Sequence, residues 1–303
     1  MHYTLHQLQI FLKIAEKKSV TKASEELHLT QPAVSIQLKK FQDQFPYPLT
    51  EVIGRKIYIT DFGQEIVEAG KIILKHVDEI EYKSMEYSGK LSGKLKISIV
   101  STAKYIMPYL LADFIKKNPE VELILDVTNK SQVIESLEKN EVDFSMVSIL
   151  PEKLQIKAIS LMENQLYLVG NTTEKFDKKE YSKVIFSELP IIYREEGSGT
   201  RLTMERYINS NNIKVKKKME LTSNEAVKQA VLSGLGYSIM PLIGIRDEIK
   251  EKKLQIIPVK GFPIKSNWNI IWLKEKKFSP VAKAFLEFLK MEKEELIKAK
   301  FGA

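Results

Sequence analysis

Apolar positions in the first third of the chain recur at helical spacing. Leu5, Leu8, Phe11, Leu12 and Ala15 share one face of a first amphipathic helix. Ser19 or Thr21 is placed to cap a second, short helix through about Leu27. His28-Leu29-Thr30 reads as a brief turn. A third helix begins at Gln31-Pro32, because a proline lacks only an N–H that a first helical turn leaves unused. With Val34 at the centre of its buried face, Leu38, Phe41 and Phe45 fall within about 40° at roughly 100° per residue, so the helix is expected to reach about Phe45. Pro46 and Pro48 then end it, and residues 55–60 alternate with period two, as one strand of a short hairpin. From Asp61 to about Ser88 the helical pattern returns. Ile66, Ala69, Ile73, Ile80 and Tyr87 lie near heptad a and d positions, with His76 and Lys83 interrupting d. A stripe on so long a helix calls for cover, and a dimer partner is the expected one.

Gly89 and Gly93 mark a hinge, after which strands and helices alternate. Strands are expected at 94–100, 121–127 and 143–147, near 156–161, 165–169 and 191–193, and at 217–221, 237–240 and 268–272. Helices are expected at 103–116 and 132–139, after Ser198, at 224–232 and from Pro280 onward. Such alternation argues for parallel sheets in an α/β unit, of one domain or two lobes. The expected fold class is thus an α+β multidomain protein. A winged helix-turn-helix (1–62) is followed by a linker and dimerisation helix with its hinge (63–92) and an α/β domain (93–303).

Length and composition narrow the function. At 303 residues, 44% hydrophobic and 28% charged, the chain suits two or three soluble units. Its net charge of +8 favours a polyanionic partner. The absence of cysteine excludes disulfides, thiolate metal sites and cysteine nucleophiles, and fits a reducing cytoplasm. No apolar run approaches the roughly 20 residues of a membrane span, and residues 1–10 do not read as an export signal, so a cytoplasmic protein without a membrane partner is expected. His2, His6, His28 and His76 all precede the α/β half, which therefore holds no Ser-His-Asp triad and no histidine metal site. Residues 197–201 lack the spacing and lysine of a P-loop, and no dinucleotide fingerprint follows the first strand. A protein that is not an enzyme, with no cofactor and no metal, is expected.

Candidate binding residues come from two places. The outward face of the third helix carries Pro32, Ser35, Ile36, Lys39 and Lys40, with Gln31 and Gln37 at its edges. Amides and hydroxyls suit base edges, and lysines suit phosphates. Ile36 sits almost opposite the core, either against a thymine methyl or simply on the surface. Arg55 and Lys56 are either phosphate contacts or solvated charges. In the α/β half, Ser101-Thr102, residues 197–201 and Ser223-Asn224 put hydroxyls where strands give way to helices, either as caps or as an anion site. Arg194 and Arg201 either complement a carboxylate or phosphate, or pair internally with Glu195, Glu196 or another acid.

The run Ser19-Val20-Thr21-Lys22-Ala23-Ser24-Glu25-Glu26-Leu27-His28-Leu29-Thr30-Gln31-Pro32-Ala33-Val34-Ser35 resembles the signature of LysR-type transcription regulators. The resemblance implies that Ala23 packs on the third helix. It also implies that Ser19, Thr21, Thr30, Gln31, Pro32, Ala33, Ser35, Ile36, Lys39, Arg55 and Lys56 form the DNA-binding set. Two departures stand out: Ile36 replaces a common arginine, and residues 48–55 replace the usual Leu-Phe-x-Arg wing. Residues 101–105, 194–201 and 223–231 are similar to the branch that controls Calvin-cycle carbon-fixation operons. That likeness implies an effector domain built like a two-lobed periplasmic binding protein, with lobe I at about 93–164 and 268–303 and lobe II at about 165–267. Its ligand, a small and anionic molecule, would meet Ser101, Thr102, Asn129, Ser148, Arg194, Ser198, Gly199, Thr200 and Asn224. The implied partners are double-stranded promoter DNA, a small-molecule effector and further copies of the chain, as dimer and tetramer. RNA polymerase is a candidate partner as well. The competing class is a solute-binding protein or binding-protein-like enzyme, against which the N-terminal head stands.

Overall fold

A computed structural model describes residues 3–54, 56–86 and 91–302. The chain divides into two compact units, Met1–Gly89 and Lys90–Ala303.

The first unit begins with α1 (Leu5–Lys17), α2 (Val20–Glu26) and α3 (Gln31–Gln42). Helix α1 starts in a capping box, in which the Gln7 amide N–H donates to the Thr4 hydroxyl and the Thr4 amide to the Gln7 side chain. Two small clusters form the core. Leu8, Phe11, Phe41, Leu49 and Val67 make one, and Ile10, Ile14, Ala23, Val34 and Ile57 make the other. Helix α3 stops at Gln42, short of the expected Phe45, because the residue before Pro46 is biased away from helical backbone. The Phe45 ring still reaches the first cluster, 5.1 Å from Phe41 and 5.7 Å from Tyr3. Strands β1 (Thr50–Ile53) and β2 (Lys56–Ile59) pair antiparallel as the wing, turning at Gly54. Gln42 fastens this wing to α3 by accepting from the Thr50 amide (3.1 Å) and hydroxyl (2.9 Å).

Thr60 opens α4 (Asp61–Glu86) by accepting from the Gly63 amide at 2.9 Å. Only glycine fits there, since a Cβ would stand 2.1 Å from the Leu49 carbonyl oxygen. The expected extension to Ser88, and Tyr87 with it, lie outside the described residues. Val67 turns into the unit's own core, whereas Ala69, Ile72, Ile73 and Ile80 stay exposed, Ile80 by 68%. This unit leaves that stripe uncovered.

The second unit contains β3 (Gly93–Val100), α5 (Met107–Lys117), β4 (Val121–Thr128), α6 (Lys130–Glu138), β5 (Phe144–Val147), β6 (Ile156–Asn171), α7 (Ile185–Glu188) and β7 (Pro190–Arg194). It continues through α8 (Gly199–Ser210), β8 (Lys216–Leu221), α9 (Asn224–Leu232), β9 (Ser238–Pro241), α10 (Arg246–Lys250), β10 (Leu254–Ile257), β11 (Ile264–Leu273) and α11 (Pro280–Phe301). The helix expected from residue 103 starts later. A 3-10 turn holds Ser101–Tyr105, and α5 follows with Pro108 in its first turn.

A seven-stranded sheet runs β10-β6-β11-β5-β3-β4, with β9 also on β6. The expected parallel pairing holds for part of the unit, but its main sheet is mixed. Strand β3 runs parallel to β4 and β5, but β6, β9, β10 and β11 pair antiparallel. Strand β6 is also one strand of 16 residues where two short ones are expected. The polar pair Glu163-Asn164 breaks its apolar alternation without breaking its pairing with β11. Both long strands run through two cores. Ile97, Phe144, Trp268 and Phe285 belong to one, while Leu168, Phe186, Ile191 and Ile257 belong to the other. The register shifts between Asn267 and Asn269, opposite residues 160–163, where the chain passes from lobe to lobe. The parallel pair β7-β8 completes the second lobe. Among the described residues, no helix is long and apolar enough to cross a membrane, and no acidic, histidine or cysteine group is arranged to hold a metal.

Phe285 is fully buried, with its ring 5.2 Å from Phe114 and 5.5 Å from Phe144. Phe285→Ala is expected to cost about 3–5 kcal/mol of stability through the cavity it leaves. Urea denaturation followed by circular dichroism reads this directly, and an unchanged midpoint contradicts the packing described.

Candidate functional site

The helix-turn-helix is assembled by local chemistry. The Ser19 hydroxyl accepts from the Lys22 amide at 3.3 Å, and the Thr30 hydroxyl from the Ala33 amide at 3.4 Å, capping α2 and α3. His28 takes a left-handed conformation (φ 53) in the turn between them. Ala23 and Val34 are wholly buried in one cluster, so α2 and α3 meet on a small residue. The opposite face of α3 exposes Gln31, Pro32, Ile36, Lys39 and Lys40, with Ala33 and Ser35 half-buried. Ile36 is 54% exposed, an aliphatic group in water within the first unit. The Gln31 amide donates to Ser35 Oγ along this face (3.2 Å), whereas Gln37 is held by Gln7 of α1 at 3.1 Å. Thr21 and Lys56 are exposed, Ser19 is half-buried, and Arg55 lies outside the described residues.

In the second unit, four chain segments converge on one narrow cleft between the lobes, with about 220 Å³ of space partly continuous with solvent. The end of β3 brings Ser101 and Thr102, and the start of α6 brings Asn129. Ser148 follows β5, and the β7–α8 segment brings Arg194, Ser198, Gly199 and Thr200. Of the residues expected at a ligand, Asn224 alone does not line the cleft. It stands behind Arg194, whose Nη1 donates to its side-chain oxygen. Two further lining residues, Val100 and Lys130, escaped the sequence reading. Lys130 left one signal, since a lysine in the first turn of a helix faces the positive end of its dipole.

Local geometry explains the convergence. Asn129 caps α6 by accepting from the Gln132 amide (3.1 Å), and Ser198 caps α8 by accepting from the Arg201 amide (3.5 Å). The first-turn amides of α8, at Gly199 and Thr200, have no intrahelical acceptor. The lobes touch at Gly197, whose carbonyl accepts from the Ser131 amide at 3.2 Å. Gly197 has φ +82, and a Cβ would lie 2.7 Å from Ser131 Oγ, so the close approach requires glycine.

Both arginines pair internally. Arg194 is 4% exposed and meets Glu195 through two hydrogen bonds, Nε to Oε2 at 2.7 Å and Nη2 to Oε1 at 2.9 Å. Its Nη2 also donates to Ser101 Oγ of the other lobe at 3.3 Å. Arg201 is taken by Glu205 (2.7 Å) and Glu220 (2.8 Å), with Glu196 at 3.7 Å. Lys130, half-buried, has no hydrogen-bond or ion-pair partner among the described residues. Burial holds its ammonium pKa below the ordinary lysine value, Arg206 presses the same way, and Glu152 opposes.

A capped three-helix head with a wing, and a two-lobed α/β unit with a polar cleft, define a DNA-binding regulator with a small-molecule domain. Residues 5–64 match the model of the bacterial regulatory helix-turn-helix protein, lysR family, and residues 88–293 match the LysR substrate binding domain. The chain therefore belongs to the LysR family of transcription regulators. It is 38% identical over 289 residues to the HTH-type transcriptional activator CmpR of Synechocystis, covering 94% of each chain. It is 35% identical to the RuBisCO operon transcriptional regulator of Allochromatium vinosum, covering 96% of this chain and 97% of that one. These relatives lie in the Calvin-cycle branch. Among solved structures, the regulatory domain of Synechocystis CcmR in complex with 2-PG aligns with a TM-score of 0.64 and 32% identity, over 67% of this chain and 98% of that one. Full-length CbnR complexed with its target DNA shares the fold, with a TM-score of 0.70 at 20% identity over 95% and 99% of the two chains.

Removing Glu195 strands a buried guanidinium. Glu195→Ala is expected to lower stability by about 3–5 kcal/mol. A loss under about 1 kcal/mol in chemical denaturation, the scale of an exposed pair, contradicts the closed pairing.

Proposed function

We propose that this chain is a cytoplasmic LysR-type regulator that binds double-stranded promoter DNA as a homodimer, further assembled to a tetramer, and that a small anion in the cleft modulates that binding. The observation that carries the sensing half is the composition of the cleft. Five hydroxyls, the free amides of a helix start, a lysine and the paired Arg194 line it, and among the described residues no acidic side chain does. Such a lining favours an anion over a cation or an apolar molecule. The 2-PG complex of the CcmR regulatory domain supports the same reading, since 2-phosphoglycolate is small and anionic. The exposed stripe of Ile72, Ile73 and Ile80 on α4 supports dimerisation, because water is a poor neighbour for it.

On the DNA side, the outward face of α3 supplies Gln31, Pro32, Ala33, Ser35, Ile36 and Lys39, and the caps supply Ser19 and Thr30. Thr21, Lys56 and Arg55 complete the set. Ile36 meets a thymine methyl in place of an arginine contact, which shifts readout from charge toward shape. Ligand binding changes the geometry of lobes or dimer, and with it the spacing of the two heads. The helix-turn-helix head disfavours a solute-binding protein or enzyme.

Footprinting with and without 2-phosphoglycolate tests the coupling. The protected region is expected to shift or change in extent, and an identical footprint at saturating ligand contradicts the sensing role. Ser35→Ala is expected to weaken binding to the operator by about 1–3 kcal/mol and to random DNA much less. Equal losses on both would make Ser35 a positioning contact only.

A further inference from the structure

We infer that Lys130 is the residue that reads the charge of the cleft's ligand, and that Arg194 and Arg201 do not contact it. The inference rests on the cleft being the ligand site. It goes beyond that reading by assigning recognition to a side chain that the hydroxyl-rich turns and the two arginines would otherwise overshadow.

Three observations converge on Lys130. The first is its position. It opens α6, where the helix dipole is positive and a cation is disfavoured. The second is its surroundings. Burial and Arg206 both work against its positive charge, and the nearby Glu152 is already engaged by Arg206 at 3.1 Å. A cation disfavoured by dipole, burial and a neighbouring arginine, with no carboxylate of its own, is a site built for an anion from outside. The third is its reach. Lys130 belongs to the first lobe, yet its Cβ and Cδ lie 3.8 Å from the point where a Gly199 side chain would begin on the second. Its stem thus lies against the start of α8, whose free amides at Gly199 and Thr200 offer the second half of an oxyanion cradle.

The arginines are ruled out by the same accounting. Freeing Arg194 for a ligand would leave the Glu195 carboxylate, 14% exposed, without its partner. Arg201 is aimed at Glu205 and Glu220 and does not line the cleft. Lys130 is the lining cation whose pairing capacity remains unused.

The test is calorimetric titration of the full chain with 2-phosphoglycolate and with glycolate, which lacks the phosphoryl group. Lys130→Met keeps the aliphatic stem and removes the charge, and Lys130→Arg keeps the charge. The Met variant is expected to bind 2-phosphoglycolate at least about tenfold more weakly, the lower end of losing a charge-assisted hydrogen bond. Its preference for 2-phosphoglycolate over glycolate should shrink with it, which a merely structural role would not produce. The Arg variant should recover most of the affinity and the preference. Binding by Lys130→Met equal to that of the unsubstituted chain overturns this inference alone and leaves the cleft reading intact. Should the unsubstituted chain bind neither probe, both fail. Thermal melting confirms the fold of each variant, and the Arg variant keeps the question open to decision if the Met variant unfolds.

Discussion

A guanidinium taken out of water must be matched almost completely by its neighbours, and Arg194 imposes that condition on the whole sensing unit. Its partners come from the next residue along the chain, from the start of α9, and from the turn after β3 in the other lobe. Meeting the condition fixes the end of β7 against α9 and brings the β3 turn to the same point. The α8 start follows, because Arg201 donates to the Arg194 carbonyl at 3.2 Å. The cleft is the space left beside this closed network. Its chemistry is therefore set by what the network does not consume, namely hydroxyls, first-turn amides and one ammonium.

The two lobes are joined more lightly than either is packed. Strands β6 and β11 run through both cores, and at their crossing the apolar pattern gives way to Glu163, Asn164, Asn267 and Asn269. Among the described residues, polar links across the cleft include the Gly197–Ser131 backbone bond, the weak Arg194–Ser101 bond and the exposed Arg206–Glu152 pair. Contacts of this kind are each worth about 1 kcal/mol or less in net stability, so ligand binding has enough free energy to change their balance. A cation standing on one lobe with its stem on the other is well placed to report the event.

The helix-turn-helix was legible in the sequence because its determinants are local: a 3.6-residue period, capping hydroxyls at Ser19 and Thr30, and an alanine where two helices meet. Helix α3 stops short of Phe45 because a proline constrains the backbone before it as well as ending the helix, which the apolar period alone does not show. The α/β half was legible as alternation but not as topology. A polar interruption in β6 looked like a strand end, and strand direction depends on partners far along the chain. Half of the ten residues around the cleft are legible from helix-start turns and Asn129 and Ser148 only from the family likeness, while the fate of the arginines stays open, because Asn224 and Ser101 lie 30 and 93 positions from Arg194. Lys130 gives the opposite signal, since a lysine is not among the residues that favour a helix start. The informative residue was the one that a helix start disfavours.

The cleft's charged lining groups are already paired except for Lys130, so an anion adds to the network without dismantling it. A crystal structure of the full chain grown with 2-phosphoglycolate tests this most directly. Arg194 should still be held in two hydrogen bonds by Glu195, with the anion seated between the Lys130 ammonium and the amides of Gly199 and Thr200. An Arg194 released from Glu195 and donating to the anion, with Lys130 turned away, would contradict it.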